Sequence, residues 1–582
     1  MGPRDNLHNR IDLVNVPFTE RGSRLMLFQR GQTLHIRLAE RWIKQEKSMG
    51  HYRQRQPIID QFTIVDAEGQ AGPITVDTYP DAIHVLTPVG QFDWAFIDPE
   101  SLLLRLPSGR WGLEFITLCD RGAVDRRGGT MHGVRNISYT TNARLIRNEI
   151  TSIDDNHLRV SLQVEAQAGD VLLLNITPRL GYNRSLPDVE TAFAEARRRW
   201  DEWFAAAPDV LEQYRPQFDY AMWIMRASLM STRYFFTREA CTPSKIHYVG
   251  VWHWDQFFHA LAYRHLDARL AEDQIRILID HQQPNGMLPD AIHDEGLITH
   301  LAAPVDADVT KPPLMAWTAM KLYETSGRRD FLEEIYEPLI KWNQWWMTEN
   351  VDEHGLGMYR HPFSSGLDDS PLWDEGMPVT APDLNAYLVM QHESLGRIAD
   401  ILGDADAAGG FRRDAQRLRE KMLAVLWDDD RGLFNALHDG KPVPALTPFS
   451  LLPLWMNSLP TGINQRLIAN LTDPRTFWSQ WPLPTVALND PKFDPLQMWR
   501  GPTWVNINYL FIEGLERAAR PDLAGELRRK TLDLILRQPD IYEYYNPITG
   551  ERPPKAAPIF GWTSAIFIDL AIQETAAARQ SK

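Results

Sequence analysis

The sequence predicts two regions of different fold class: an N-terminal β-sandwich, then a larger, mainly α domain of paired helices that close into a ring. Three observations support this prediction. The 582 residues are more than one ordinary hydrophobic core can organise. Up to about residue 185, apolar and polar side chains alternate as in short strands, and from about residue 188 the repeat becomes helical. We therefore predict domains at residues 1–187 and 188–582.

Strands are predicted from four N-terminal segments that alternate apolar and polar residues or are rich in β-branched residues. These segments are residues 25–42, 72–88, 102–118 and 157–180. Gly, Pro, Asp and Asn interrupt them at short intervals, as turns require. Several short strands at this spacing are typical of a β-sandwich.

About a dozen helices are predicted in the rest of the chain. The first has an acidic start, which favours a helix N-terminus. The helical segments are residues 187–208, 217–236, 254–266, 268–283, 312–327, 330–350, 381–403, 414–427, 464–472, 502–518, 522–538 and 562–578.

Two kinds of helix alternate along this region. One kind is apolar and has an entry rich in Trp, Pro or Asn, as in GVWHWDQFF and RGPTWVNINYL. The other is charged and amphipathic, as in DFLEEIYEPLIKW. Apolar helices belong inside and amphipathic helices face water. A closed ring of six inner and six outer helices satisfies both, and the entries of the inner helices then converge on a central cup.

Composition argues against several classes of function. The net charge of −15 disfavours nucleic acid, anionic membranes and polyanionic substrates. Two cysteines cannot build a disulfide framework or a cysteine metal site. No metal-binding, phosphate-binding or nucleophile-elbow motif occurs, so we expect no metal and no cofactor. The apolar runs are too short for a membrane span and the N-terminus has no apolar signal region, so we expect a cytoplasmic protein. The oligomeric state stays open.

Tryptophan is unusually frequent. The chain has 20 Trp residues, against 17 each of Met, His and Tyr. Most of them can fill a large helical core. Trp is also the side chain that best covers the apolar face of a sugar ring, and carboxylates beside it accept bonds from sugar hydroxyls. A neutral small-molecule carbohydrate is therefore the expected partner.

Two acidic stretches are candidates for catalysis. The stretch SSGLDDSPLWDEG, residues 364–376, is too broken for a helix and too polar for a strand. It is either a solvated loop or a loop that carries Asp368 or Asp369 into the cup. Glu543 lies among tyrosines in IYEYYNPITGERP, where partial desolvation raises the pKa of a carboxyl and suits it to proton transfer; it could equally be an exposed residue. Glycoside hydrolysis uses two such acids on opposite faces of a sugar.

The entries of the apolar helices supply candidate binding residues. Tyr248 and Trp252 could form a platform for a sugar ring, and Asp255 could accept from hydroxyls or merely stabilise its helix N-terminus. Trp499 and Trp504 flank a turn and could clamp a ring or belong to the core. Lys311 precedes a double proline at a helix start, and it either reaches the cup or lies on the surface.

Taken together, several short motifs resemble glycoside hydrolase family 63, which includes processing α-glucosidase I and bacterial α-glucosidases. They are SGLDDSP, WHWDQFF, KPPLMAW, DLNAYL, RGPTW, EYYNPITGE and FGWTSA, within residues 190–577. Related trehalases share the Trp-Asp helix start, but their other signature strings are absent. The resemblance implies an (α/α)6 barrel and inversion at the anomeric carbon. By the motif SGxD it assigns the acid to Asp368, and by ExYxPxTG the base to Glu543.

The resemblance also implies the binding residues. Tyr248, Trp252, Asp255, Trp499 and Trp504 match positions that line the sugar pocket in the family. Gly366 of the SGLDD motif belongs to the same predicted site, and Lys311 stands where relatives often carry Gln.

The expected activity is that of an exo-acting inverting α-glycosidase that removes a terminal α-linked glucose from a small neutral α-glucoside. The alternative is hydrolysis of glucosylglycerate or mannosylglycerate, as in short bacterial members that lack a large β domain. That substrate would need a cation for its carboxylate, for which Arg500 is the candidate. A phosphorylase and a non-catalytic glycan-binding protein remain as rivals from other classes.

Overall fold

The computed structural model describes residues 2–40, 56–456 and 458–580. Arg41 and Trp42, at the end of the first predicted strand segment, lie outside the described residues. The chain divides into two compact units. The first comprises Met1–Ala207, Arg215–Ser231 and Lys245–His247, and the second comprises Pro208–Tyr214, Thr232–Ser244 and Tyr248–Lys582.

Two antiparallel sheets dominate the first unit, in agreement with the predicted sheet-rich N-terminus. Their strand orders are β1-β2-β3-β8-β13-β12 and β4-β5-β6-β7-β14-β11-β10-β9. The strands are β1 Leu25–Arg30, β2 Thr33–Leu38, β3 Ile59–Val65, β4 Thr75–Thr78, β5 Ile83–Thr87, β6 Gly90–Asp98, β7 Ser101–Arg105, β8 Gly109–Thr117, β9 Cys119–Asp125, β10 Gly128–Gly133, β11 Asn136–Thr141, β12 Arg144–Ser152, β13 Leu158–Ala166 and β14 Val171–Thr177.

Aromatic rings join the inner faces of the two sheets. Phe62 of β3 meets Trp94 of β6 edge to face with ring centroids 4.8 Å apart, and Phe92 of β6 meets Trp111 of β8 at the same distance. Such pairs bury large apolar areas in a favourable ring geometry. The alternation seen in the sequence therefore points apolar side chains of both sheets into one shared core.

In the described part of the first unit there are also three helices: α1 Pro3–Asn6, α2 Val189–Ala205 and α3 Arg215–Ala227. Helix α2 packs on the second sheet, where Val189 and Ala192 join a buried cluster with Leu103, Val171 and Leu173. The predicted domain boundary between residues 187 and 188 precedes α2, whereas the compact units divide after it because of this packing. Compactness does not show which segments fold alone, so the boundary stays a prediction.

The second unit is helical, and each of its helices overlaps a helical segment predicted from residue 254 onward. They are α4 His253–Tyr263, α5 Ala268–Ile279, α6 Met315–Ser326, α7 Arg329–Glu349, α8 Pro382–Leu402, α9 Ala405–Val425, α10 Thr461–Leu471, α11 Val505–Arg517, α12 Pro521–Leu536 and α13 Gly561–Gln580. Helix α9 begins at Ala405, well before the predicted start at residue 414. Local signals set several ends: α8 has Pro382 in its first turn and stops at Gly403, whose φ is 88°.

The apolar helices of the second unit contact one another in a cycle. Helix α4 touches α6 and α13, α6 touches α8, and α11 touches α13. The 3-10 helix Leu452–Trp455 contacts both α8 and α11 and so completes the cycle within the described residues. Helices α5, α7, α9, α10 and α12 each pack against members of this cycle.

Burial follows the predicted division into two kinds of helix. Every residue of α4 is buried, whereas α9 buries only Ala408, Ala415, Leu418 and Met422.

Short strands lie in the loops between the helices. They are Leu229–Met230, Ala240–Cys241, Val251–Trp252, Ala291–His293, Gly296–Ile298, His300–Leu301, Ala307–Asp308, Met358–Tyr359, Val379–Thr380, Trp427–Asp428, Leu433–Phe434, Leu437–His438 and Lys441–Pro442.

Candidate active site

A cavity opens where the N-termini of the inner helices converge. Its walls come from the segments that precede α4, α6, α8, α11 and α13 and from the first turns of α4 and α13, as the sequence predicted for the short motifs. All the predicted site residues except Arg500 line it. The lining residues are Pro243, Tyr248, Trp252, Trp254, Asp255, Lys311, Gly366, Asp368, Met498, Trp499, Trp504, Glu543, Phe560 and Trp562.

Glu543 is buried in this cavity, with 3% of its surface exposed. Its Oε1 atom accepts a hydrogen bond from the Tyr248 hydroxyl at 2.9 Å, and its Oε2 atom accepts one from the Ala557 N–H at 3.0 Å. Burial raises the pKa of Glu543 to about 7, although both hydrogen bonds oppose the shift. A carboxyl with this pKa can take a proton from water near neutral pH.

Asp368 lies in the loop between the 3-10 helix Pro362–Ser365 and α8. Its Oδ1 atom is withdrawn from solvent and has no hydrogen-bond partner among the residues that the structure describes. Burial raises the pKa of Asp368 to about 7; the Lys311 ammonium lowers it, and the carboxylates of Asp290 and Asp369 raise it further. This carboxyl therefore retains a proton up to near-neutral pH, as a proton donor requires.

The neighbouring Asp369 does not line the cavity. Its Oδ1 atom accepts from the Trp499 N–H at 2.8 Å, and its Oδ2 atom accepts from the Gln497 side chain at 2.6 Å. It thereby holds the loop that carries Trp499. The two adjacent acids, which the residues alone could not separate, face different surroundings.

Arg500 is engaged outside the cavity. Its guanidinium contacts both carboxylate oxygens of Asp374, at 3.0 and 2.8 Å, and donates to the backbone carbonyl of Asp369. Lys492 also pairs with Asp374, at 3.0 Å. The acidic stretch 364–376 therefore combines one acid in the cavity with others that fasten neighbouring loops.

The tryptophan wall differs from the arrangement that the sequence suggested. Trp499 and Trp504 stack on each other with centroids 3.8 Å apart and planes 6° apart. No sugar ring fits in that space, so the predicted clamp between these two residues is wrong. The two stacked rings together form one side of the cavity. The Trp504 indole N–H donates to the Met498 carbonyl at 2.8 Å. Tyr248 and Trp252 meet edge to face, 5.4 Å apart, on another part of the lining.

Asp255 and Lys311 are both buried. Asp255 occupies the first turn of α4 with 3% of its surface exposed, and burial keeps its pKa well above the usual range. Lys311 is 4% exposed, which rules out the surface position considered above. Its Nζ lies 2.7 Å from an Asp290 carboxylate oxygen and donates to the Phe363 carbonyl at 2.6 Å.

Sequence reasoning missed several wall residues. Trp254 packs edge to face on Trp562, and both lie in motifs quoted for the resemblance, so their pattern was available. Phe560 and Met498 also line the cavity. Asp290 ends the turn QQPNGMLPD, whose Gly and Pro are explained by the needs of the backbone alone. A single acid after an apolar turn gave no local sign of its lysine partner.

Among the residues that the structure describes, no candidate metal site accompanies these acids. In residues 2–40, 56–456 and 458–580, no group of three or more His, Cys, Asp or Glu side chains is arranged to hold a metal ion. Within the same ranges, no helix combines the length and apolarity that a membrane crossing needs.

Comparison with known proteins identifies the class. A glycoside hydrolase uses two acids of this kind in one cavity, here the buried Glu543 and the partly buried Asp368 between tryptophan walls. The model of the mannosylglycerate hydrolase MGH1-like glycoside hydrolase domain matches residues 248–563, more than half of the chain and all of the cavity except Pro243. The chain belongs to this family, within glycoside hydrolase family 63, and is a glycosidase.

Curated relatives match a little more than half of this chain. The mannosylglycerate hydrolase of Thermus thermophilus is 25% identical over 397 residues, which span 54% of this chain and 93% of the relative. The glucosylglycerate hydrolase of Mycolicibacterium hassiacum is 23% identical over 419 residues, 56% of this chain and 93% of the relative.

Solved structures support the fold alone, because their identities are low. A family 63 mannosylglycerate hydrolase of Thermus thermophilus in complex with glucose has a TM-score of 0.53 at 23% identity, covering 60% of this chain and 99% of that one. A bacterial glucoamylase complexed with acarbose has a TM-score of 0.58 at 10% identity, covering 96% of this chain and 95% of that one. The second match spans the sheets as well as the helices.

Proposed function

We propose that the protein is an exo-acting α-glycosidase that inverts the anomeric centre, with Asp368 as the acid and Glu543 as the base. The observation that carries this proposal is the meeting of the two acids in one cavity, each with a pKa near 7, although they are far apart in the chain. The cycle of inner helices and the packed outer helices support an (α/α)6 barrel as the framework.

The proposed reaction needs one proton on each side of the sugar. Asp368 donates its proton to the glycosidic oxygen as the bond from that oxygen to the anomeric carbon breaks. A water molecule attacks the opposite face, and Glu543 takes its proton. Tyr248 and the Ala557 N–H stabilise the ionised Glu543 that this step requires. An inverting pair needs a separation of roughly 6.5–9.5 Å between the carboxyls to admit the water.

The pair should titrate as a unit. An ionised carboxyl raises the proton affinity of a neighbouring one, and Asp368 contributes in this way to the raised pKa of Glu543. The active form has the proton on Asp368 and the charge on Glu543. We therefore expect a bell-shaped dependence of kcat/KM on pH, with its maximum near neutrality.

A hexosylglycerate, mannosylglycerate or glucosylglycerate, is the first substrate to test. The names of the curated relatives support this choice and reverse the order that the sequence alone suggested. A neutral α-glucoside is the second candidate, and one observation favours it. Lys311 is the only cationic side chain in the described lining of the cavity, and Asp290 already neutralises it.

A substrate panel read for stereochemistry tests the proposal. Purified protein is incubated with mannosylglycerate, glucosylglycerate and a set of neutral α-glucosides, without phosphate, and the first hexose released is observed by proton NMR. We expect the β-anomer first. Release of the α-anomer would contradict inversion, dependence on phosphate would indicate a phosphorylase, and binding without turnover would indicate a glycan-binding protein.

Substitution of the base gives the second test. Glu543→Gln should lower kcat by about 10²–10⁴-fold, because general base catalysis contributes on that order. Circular dichroism should show an unchanged fold. Glu551→Gln is the matched control, since Glu551 is exposed in the same loop and does not line the cavity. Near-normal turnover of Glu543→Gln would remove Glu543 from the mechanism.

A further inference from the structure

The loop that carries Asp368 is anchored by a buried ion pair from two other segments. Lys311 precedes α6, and Asp290 ends the turn that leads into the short strand Ala291–His293. Both are nearly inaccessible to solvent, at 4% exposure each. The Lys311 ammonium meets the Asp290 carboxylate at 2.7 Å and donates to the carbonyl of Phe363 at 2.6 Å.

That carbonyl belongs to the segment that delivers the acid. Phe363 lies in the 3-10 helix Pro362–Ser365, and Gly366 and Leu367 connect this helix to Asp368. A hydrogen bond from a buried ammonium to a backbone carbonyl is charge-assisted and so stronger than a neutral one. Lys311 thus fixes the backbone a few residues before the proton donor.

The same pair sets the electrostatic surroundings of Asp368. Lys311 acts on Asp368 and Asp255 as a positive charge, and Asp290 acts on Asp368 and Asp255 as a negative one. The two charges act on the pKa of Asp368 in opposite directions. The other titratable groups coupled to Asp368 or to this ion pair are Asp255, Asp369, Glu543, Tyr248, His253 and His361.

We propose that Lys311 and Asp290 act together as positioning residues, anchoring the turn that delivers Asp368 and keeping the net charge beside that carboxyl close to zero. Lys311 is then not a free cation for the substrate, in contrast to the binding role considered from the sequence. The part of this inference that concerns catalysis depends on the proposed role of Asp368. The part that concerns the charge at Asp368 does not.

The sign of the effect follows from electrostatics. Asp290→Asn removes the negative partner and leaves a bare ammonium, which favours the ionised form of Asp368. Asp368 then loses its proton at a lower pH, so the alkaline limb of the kcat/KM profile shifts to lower pH. Lys311→Gln removes the positive charge, which favours the protonated form of Asp368, and should move the limb to higher pH. The double variant, which is uncharged at both positions, should recover at least half of the downward shift.

The experiment measures the alkaline limb in the wild type, the two single variants and the double variant. We expect Asp290→Asn to lower the limb by about half a pH unit or more, which corresponds to roughly 0.7 kcal/mol. Lys492→Gln is the control, because it removes another lysine–aspartate pair, with Asp374, outside the cavity. Reduced kcat in both single variants with an unmoved limb would overturn the charge-balancing role.

A second measurement needs no turnover. The free energy of unfolding is compared between Asp368 and Asp368→Asn proteins across pH, in the wild-type and Asp290→Asn backgrounds. The pH at which the difference levels off reports the proton affinity of Asp368 by linkage. We expect a lower value in the Asp290→Asn background, and equal values would overturn the inference. Absence of hydrolysis in the wild type would instead refute the proposed function and leave this measurement readable.

Discussion

At the scale of single residues, the cavity depends on one glycine next to one tryptophan. Gly366 adopts a φ of 74°, in the left-handed region, two residues before Asp368. A Cβ atom at this position would lie 2.3 Å from the Trp254 indole. Trp254 in turn packs on Trp499 and Trp562 in the cavity wall. Absence of a side chain therefore lets the loop that carries Asp368 approach the wall.

Substitution of this glycine should be costly for both stability and activity. We expect Gly366→Ala to lose about 1–2 kcal/mol from the left-handed backbone and more from the clash with Trp254. Displacement of the loop should reduce kcat by roughly 10²-fold, as small misplacements of catalytic groups do. Urea unfolding and steady-state kinetics measure the two effects.

Gly327→Ala is the control that separates the cost of the left-handed backbone from the cost of the clash with Trp254. Gly327 also has a positive φ, 66°, but no atom would lie within 4 Å of its Cβ. It ends α6 and does not line the cavity. This control should show the backbone cost alone and normal kcat. Equal stability losses in the two variants would contradict the clash with Trp254.

The same scale shows what local sequence could and could not predict. The residue types at the site were predictable, because Trp, Asp and Glu at helix entries indicate sugar chemistry. The different roles of Asp368 and Asp369 were not, since they depend on Gln497 and the Trp499 N–H, more than a hundred residues away. The stacking of Trp499 on Trp504 was hidden for a related reason: spacing in a loop does not determine ring geometry.

At the scale of elements, the positions of the helices along the chain were predictable, but the contacts between particular helices were not. Periodicity located each helix from α2 to α13, because amphipathic and fully apolar repeats have different signatures. The 3-10 helix Leu452–Trp455, which takes the remaining place in the inner cycle, has no such repeat. Its contribution is a contact between α8 and α11 that only the folded chain displays.

A buried carboxylate on α13 joins three inner helices. Asp569 is fully buried and accepts hydrogen bonds on both oxygens. Arg264 and His265, just beyond α4, lie 2.7 Å from one oxygen. Tyr509 of α11 and Gln573 of α13 donate to the other, at 2.8 and 2.7 Å. The carboxylate therefore ties α4, α11 and α13 together.

Removal of this carboxylate should destabilise the helical unit strongly. Asp569→Ala leaves the Arg264 guanidinium buried without its anion, and breaking such a pair costs about 3–5 kcal/mol. Thermal and urea unfolding measure the loss. Glu337→Gln breaks the exposed pair with Lys341, 2.9 Å apart, and should leave the free energy of unfolding nearly unchanged. A similarly small loss for Asp569→Ala would contradict the proposed joint between helices.

At the scale of the whole molecule, carboxyls withdrawn from solvent lower the free energy of unfolding near neutral pH. The chain buries several carboxyls that are more easily ionised in the unfolded state, and Asp368, Glu543 and Asp383 all have pKa values raised to about 7 by burial. A carboxyl that keeps its proton near neutral pH carries this cost in stability. The general plan of sheets followed by helices was predictable from the sequence. The cost was not, because it arises from burial in three dimensions.

Asp368→Asn should therefore stabilise the protein in a pH-dependent way. Below about pH 4 the carboxyl is protonated in both the folded and unfolded states, so the variant gains nothing from lost ionisation. As pH rises, the unfolded Asp368 ionises first while the folded one keeps its proton until about pH 7. The wild type loses stability over this interval, and the variant does not. The stability advantage of Asp368→Asn should grow from about pH 4 to about pH 7, reach on the order of a few kcal/mol, and stay constant above pH 7.

Urea unfolding at pH 5, 6, 7 and 8 measures this difference, with the exposed Glu353→Gln as control. A difference that is flat across this range would mean that Asp368 titrates as an ordinary solvated acid, and it would remove the basis for its role as a proton donor at neutral pH.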